Sequence, residues 1–173
     1  SIISLIVMFA PLGFVFFLSA RVMKMSYSAG QISFWLFSAL MGLSLSTIFV
    51  VYTGASIANA FFTTAVAFGA MSLFGYTTKK DLSGMGRFLF MGVIGLIVAM
   101  IINWFTQSPG LEFAINVLGV LIFAGLTAYD TQNIKNTYLS IRNAPNGEEI
   151  AAKAGILGAL SLYINFLNMF MFL

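Results

Sequence analysis

Long apolar runs alternate with short polar links along the whole chain, and the runs are continuously apolar with no period-two alternation. Each is about the roughly 20 residues a helix needs to cross a bilayer. The pattern therefore predicts membrane-spanning helices and excludes a transmembrane β-barrel. Six spans are expected. Segment A covers about Ile2 to Ala20 and carries Pro11 and Gly13, a kink that membrane helices tolerate when neighbours satisfy the freed carbonyl. Segment B covers about Gln31 to Tyr52, with Ser38, Ala39, Gly42, Ser44 and Ser46 as a close-packing face, or alternatively a polar pore lining. Segments C and D cover about Ser56 to Tyr76 and Phe88 to Phe105. Trp104 and Phe105 end segment D, where aromatics favour the headgroup level. Segment E opens with Glu112 and runs on to about Ser140, because nothing in TQNIKNTYLS breaks a helix. Segment F covers about Gly147 to Leu173, with Asn146 and Glu149 spaced as a capping box at its start.

Charge adds the topology. Basic residues occupy alternate links: Arg21 and Lys24; Lys79, Lys80 and Arg87; Lys135, Arg142 and Lys153. The positive-inside rule makes these three links cytoplasmic, so Ser1 would start outside. One helix upstream of Ser1 would restore an inside N-terminus, and that is the expectation. Composition agrees: of 173 residues 60% are hydrophobic and 8% charged, against roughly 25% charged in soluble domains, and mean hydropathy is +1.00. The expected architecture is all-α, a single polytopic helical domain over residues 1–173, multi-pass in a membrane. The net charge of +3 sits in links and reports orientation, so nucleic acid is not an expected partner. The lipid bilayer is.

Candidate chemistry is sparse. With no Cys and no His, thiolate chemistry, His-containing zinc sites and His-based triads are excluded. One acid stands out, because Asp130 lies deep inside an apolar run in the stretch GLTAYDTQNIK. A carboxylate at the bilayer centre costs about 2.5–3.5 kcal/mol on insertion scales and marks a functional site by default. Asn165 reaches a similar depth on segment F, and Asn168 shares its helix face at i+3. Tyr129 and Tyr163 bring hydroxyls to that level. An acid facing an amide can share a hydrogen bond, bind a cation or hold a water. It can also be a plain interhelical staple, worth about 0.6 kcal/mol on average. An intramembrane aspartyl protease would need a second catalytic Asp; Asp81 lies in a link and Asn165 is not an acid, so no enzyme activity and no cofactor are expected.

The stretches AGLTAYDTQNIK and ALSLYINFLNMFMFL, with KKDLS after segment C, resemble the transmembrane Bax inhibitor motif family in its bacterial form. The resemblance covers nearly the whole chain. It implies a seven-helix fold with the last helix central, of which six helices are present here, and a place in the bacterial inner membrane. It also implies a pH-dependent calcium leak sensed by two aspartates, one in the YD motif and one in the last helix. Asp130 matches the first, but the second falls on Asn165. Two carboxylates in contact share a proton and split their pKa values, and an Asp–Asn pair cannot. Asp130 is therefore expected to titrate as a single site. The family's basic latch at the end of its second helix corresponds to Arg21, with Lys24 as the alternative.

Two functions follow. The first is a pH-sensitive cation leak with calcium or the proton as the ion, Asp130 as sensor, and Asn165 and Asn168 along the path. Calcium takes six to eight oxygens, so Asp130 alone makes a weak metal site. The second is a non-conducting regulator that binds a membrane-bound protease or another membrane protein, as some bacterial relatives do, with Asp130 and Arg21 as a structural latch.

Overall fold

The computed structural model describes residues 13–46 and 48–173, and its described residues form helices and turns without strands. Helix α1 is seen over residues 13–21, and a 3-10 turn follows at Val22–Lys24. After it come α2 (Tyr27–Leu45), α3 (Ile48–Val51), α4 (Gly54–Thr77), α5 (Ser83–Thr106), α6 (Pro109–Ile141) and α7 (Gly147–Phe172). Among the described residues five helical stretches are long and apolar enough to cross a membrane: Tyr27–Val51, which contains α2 and α3, and then α4, α5, α6 and α7. They correspond to segments B to F. Most of segment A lies outside the described residues, and its described part is helical.

Local sequence explains the boundaries. Ser26 caps α2, its Oγ accepting the Ala29 N–H at 3.2 Å. The polar start of segment D belongs to α5, which begins at Ser83, five residues before the apolar run; in a membrane bundle a helix outlasts its apolar stretch. The link from α5 to α6 is tight. Gln107 takes a left-handed conformation, φ 48°, and its N–H closes α5 on the Asn103 carbonyl at 2.7 Å. Ser108 then caps α6 through the Leu111 N–H at 3.3 Å, and Pro109 takes the first helical position, where its missing N–H is not needed. The α6–α7 turn differs from the expected capping box. Asn146 sits at φ 58°, outside the extended N-cap conformation, and Glu149 turns forward to Lys153 at 3.1 Å.

Chain contacts divide the molecule into two compact units. The first comprises the described residues up to Ala58 with Asn136–Leu160. Leu18, Val22 and Phe37 are fully buried there, Phe14 stacks on Phe37 at 6.5 Å, and Gly30 of α2 gives space to Ile156 of α7. The second unit comprises Asn59–Lys135 with Ser161–Leu173. Its core joins Leu96 of α5, Ile115, Phe123 and Leu126 of α6, and Met169 of α7. Phe166 of α7 packs edge-on against Phe61 and Phe68 of α4, at 5.6 and 5.4 Å. A third of the apolar stretch of α6 is buried, against 17% for α7 and 6% for each of the other three.

Candidate functional site

The site lies in the second unit, on the seam between α6 and α7. Helix α6 runs unbroken through the YD motif, and Thr127 and Thr131 return their hydroxyls to the carbonyls of Phe123 and Thr127, each at 2.8 Å. These polar side chains thereby satisfy themselves inside an apolar helix. Asp130 faces α7, where Asn165 Nδ2 donates to Asp130 Oδ2 at 2.7 Å. Asn165 is buried, at 5% exposure, and Asp130 is half-buried. Within this unit Asp130 has no ion-pair partner among the described residues. The predicted acid–amide pair is therefore present. Asn168 lies one turn further along α7, half-buried and outside that hydrogen bond.

Two further residues of the same motif do work that the sequence reading did not assign. Gln132 is buried, and its side-chain amide bridges the backbone of the α4–α5 link: Oε1 accepts the Leu82 N–H at 2.9 Å, and Nε2 donates to the Lys80 carbonyl at 2.7 Å. Lys135 donates to the Tyr76 carbonyl at 2.9 Å, capping the end of α4, and its ammonium lies 4.9 Å from the centre of the Tyr76 ring. The signal for both was a polar run at i+2 and i+5 from Asp130, which reads equally well as the solvated end of a helix. Tyr129 turns to α5, with its ring against Gly86 and edge-on to Phe90 at 6.0 Å. Arg21 belongs to the first unit, at the end of α1, and is exposed.

These contacts fix the depth of Asp130. Gln132 touches the α4–α5 link and stands two residues away, about 3 Å along the axis. The acid is thus held just beneath the ends of α4 and α5, in the half of the bundle that carries the basic link, and not at its middle. Close approach makes this possible: a Cβ on Gly75 would run into the Ala128 backbone, so α4 lies directly on α6 beside the YD motif. Ser72 Oγ, one turn earlier on α4, is buried without a hydrogen-bond partner among the described residues. No group of three acids, histidines or cysteines able to hold a metal is present among the described residues, so any cation at Asp130 meets one carboxylate and neutral oxygens.

A family model described as "Inhibitor of apoptosis-promoting Bax1" matches residues 1–173. The chain is 51% identical over 169 residues to an uncharacterized protein of Caulobacter vibrioides, covering 98% of this chain and 66% of that protein. It is 49% identical over 166 residues to inner membrane protein YbhL of Escherichia coli K12, covering 95% and 69%. It is 44% identical over 168 residues to an uncharacterized protein of Rickettsia prowazekii, covering 97% and 70%. The chain spans about two thirds of the length of these relatives.

Proposed function

The chain belongs to the Bax inhibitor family of membrane proteins, and from that premise we propose that it mediates a pH-sensitive leak of calcium, with Asp130 as the intramembrane sensor. It is a multi-pass helical protein in contact with lipid, and the inner membrane named for its Escherichia coli relative is its expected location. The observation that carries the leak reading is the Asp130–Asn165 hydrogen bond at 2.7 Å on the most buried helix. An ionisable group kept in a bundle, faced by an amide and not by a base of its own unit, is a poor choice for a staple that an amide pair would make more cheaply. Protonation of the carboxylate removes its charge and weakens the hold of Asn165. Deprotonation leaves a single carboxylate for a passing cation.

Calcium flux into liposomes holding only the purified protein, measured from about pH 5 to 8, tests this. One titrating group gives a single-step profile. Asn165→Asp restores two carboxylates, and coupled pairs titrate in two macroscopic steps, so the profile should split. Asp130→Asn should abolish the pH dependence. An unchanged profile in Asp130→Asn would place the sensor elsewhere. Absence of flux at every pH would favour the regulator of a membrane protease or other membrane partner.

A further inference from the structure

The second unit has a second polar feature on the same seam, at its other end. A cavity of about 490 Å³ opens where α5 turns into α6. Met100, Asn103 and Trp104 of α5 line it, with Glu112 and Asn116 of α6 and the ring of Phe172 from α7. Among the charged residues of this unit, Lys79, Lys80, Asp81, Arg87 and Lys135 gather at the α4–α5 link, and no Lys or Arg occurs from Phe88 to Ile134. Glu112 therefore has no counter-ion on α5 or α6, and neither it nor Asn116 makes a side-chain hydrogen bond among the described residues. Asn103 Oδ1 accepts one bond, from the Ser108 N–H at 3.0 Å, and keeps a second lone pair.

Glu112 and Asp130 are eighteen residues apart, five turns of an α-helix, so they lie on one face about 27 Å from each other. That distance is close to the roughly 30 Å of the hydrocarbon core. The contacts between them on α7 follow in order. Phe172 lies against Gly119, where a Cβ would meet its ring at 2.6 Å, and stacks on Phe123 at 6.0 Å. Met169 meets Thr127 at 3.9 Å, and Asn165 meets Asp130. Phe172 is thus both a wall of the cavity and the first apolar layer between it and the acid–amide pair.

We propose that this cavity is a receiving site for a hydrated divalent cation, with the Glu112 carboxylate as its charge and the Asn116 and Asn103 amide oxygens as further ligands, and that the Phe172 ring is the plug that separates it from Asp130. The direction of travel rests on the leak reading; the binding does not. Size agrees. Six to eight oxygens at about 30 Å³ per water occupy roughly 180–240 Å³, and the cavity holds that with room for exchange. One carboxylate and neutral oxygens make a weak, fast-exchanging site, as an entry site requires. By the positive-inside rule it faces outward, away from the basic links.

Terbium(III) serves as the probe, because Trp104 lines the cavity and sensitises terbium emission at short range. Purified protein in lipid nanodiscs, excited at the indole band, should give saturable emission that calcium displaces. Trp104→Phe should remove the signal, Trp35→Phe should retain it, and Glu112→Gln should weaken binding at least tenfold. Emission that survives Trp104→Phe, or affinity unaltered in Glu112→Gln, overturns the site. In proteoliposomes Phe172→Ala should raise calcium flux several-fold. Gly119→Ala, which displaces the ring without removing it, should do the same, with folding of each variant checked by gel filtration. Unaltered flux in both overturns the plug. Glu112-dependent binding without flux in any protein upholds the site and removes the leak reading; flux without Glu112-dependent binding does the reverse.

Discussion

The two ends of α6 in the second unit carry the same kinds of residue and use them in opposite ways. At the basic end Asp130, Gln132 and Lys135 are each engaged: by Asn165, by the backbone of Lys80 and Leu82, and by the Tyr76 carbonyl. At the other end Glu112 and Asn116 face a cavity and bond to nothing described. Both ends are polar in sequence. The difference is that one is locked to its neighbours by directed bonds and the other keeps its hydrogen-bonding capacity for something outside the chain. A locked end with a single acid suits sensing, and an end whose acid is left unbonded suits binding.

The largest expected effect breaks the locked end through packing. Gly75→Val drives a branched side chain into the Ala128 backbone, which cannot retract as a flexible side chain would. Overpacking typically costs about 1–3 kcal/mol, and backbone contact puts this variant at or beyond the top of that range. Thermal unfolding in detergent, followed by fluorescence, should show the loss. Gln132→Ala comes next. It strands the Leu82 N–H and the Lys80 carbonyl, and a buried unsatisfied group costs about 1–3 kcal/mol. Hydrogen exchange at the Leu82 amide should accelerate in that variant while the amides of the Gln107–Gly110 turn stay as they are. Equal acceleration at both ends would dissolve the distinction between them.

Asn165→Ala, read through a double-mutant cycle with Asp130→Ala, should show a coupling of about 0.6 kcal/mol and at most about 1.7 kcal/mol, the range of interhelical hydrogen bonds in membranes. Its effect on the pH profile of flux should exceed its effect on stability. Glu112→Ala at the open end should leave stability within about 0.5 kcal/mol, since no packing or bond depends on it. The smallest effect lies in the link itself. Asp81 Oδ1 accepts from the Ser83 hydroxyl at 2.7 Å and the Ser83 N–H at 3.0 Å, and these bonds, with a lesser contribution from the Arg87 charge, hold its carboxyl below the usual range. A depressed carboxylate contributes above its unfolded pKa, about 3.9, and loses that contribution as pH falls through the lower folded value. The stability difference between wild type and Asp81→Asn should therefore be small at neutral pH and shrink as pH falls below about 4, vanishing only below the folded value.

Much of this was legible without coordinates. Membrane class, five described spans and the placement of Asp130 inside one of them follow from hydropathy summed over about 20 residues, a property that neighbouring helices barely alter. The Asp130–Asn165 pair was legible too, because two intramembrane polar groups at matching depth on adjacent helices have few other ways to be satisfied. The Asn146 capping box was misread: Ser/Asn-x-x-Glu spacing tests an offset along the chain, and the left-handed backbone at Asn146 is set by the turn that brings α7 back.

Rotational register and the stagger of helix ends are absent from a hydropathy profile, and they decide the rest. Gln132 reads as a solvated residue until the ends of α4 and α5 are seen to stop level with it. Gly75 reads as one small residue among many until its face is seen to lie on the Ala128 backbone. Glu112 reads as a favourable charge at a helix N-terminus until Asn103, Asn116 and Phe172 are seen around it. The chain's composition dictates that it must bury its polar groups against itself in lipid. Which groups meet, and which are left facing an open cavity, depends on distances between helices far apart in sequence, and those are settled when the bundle packs.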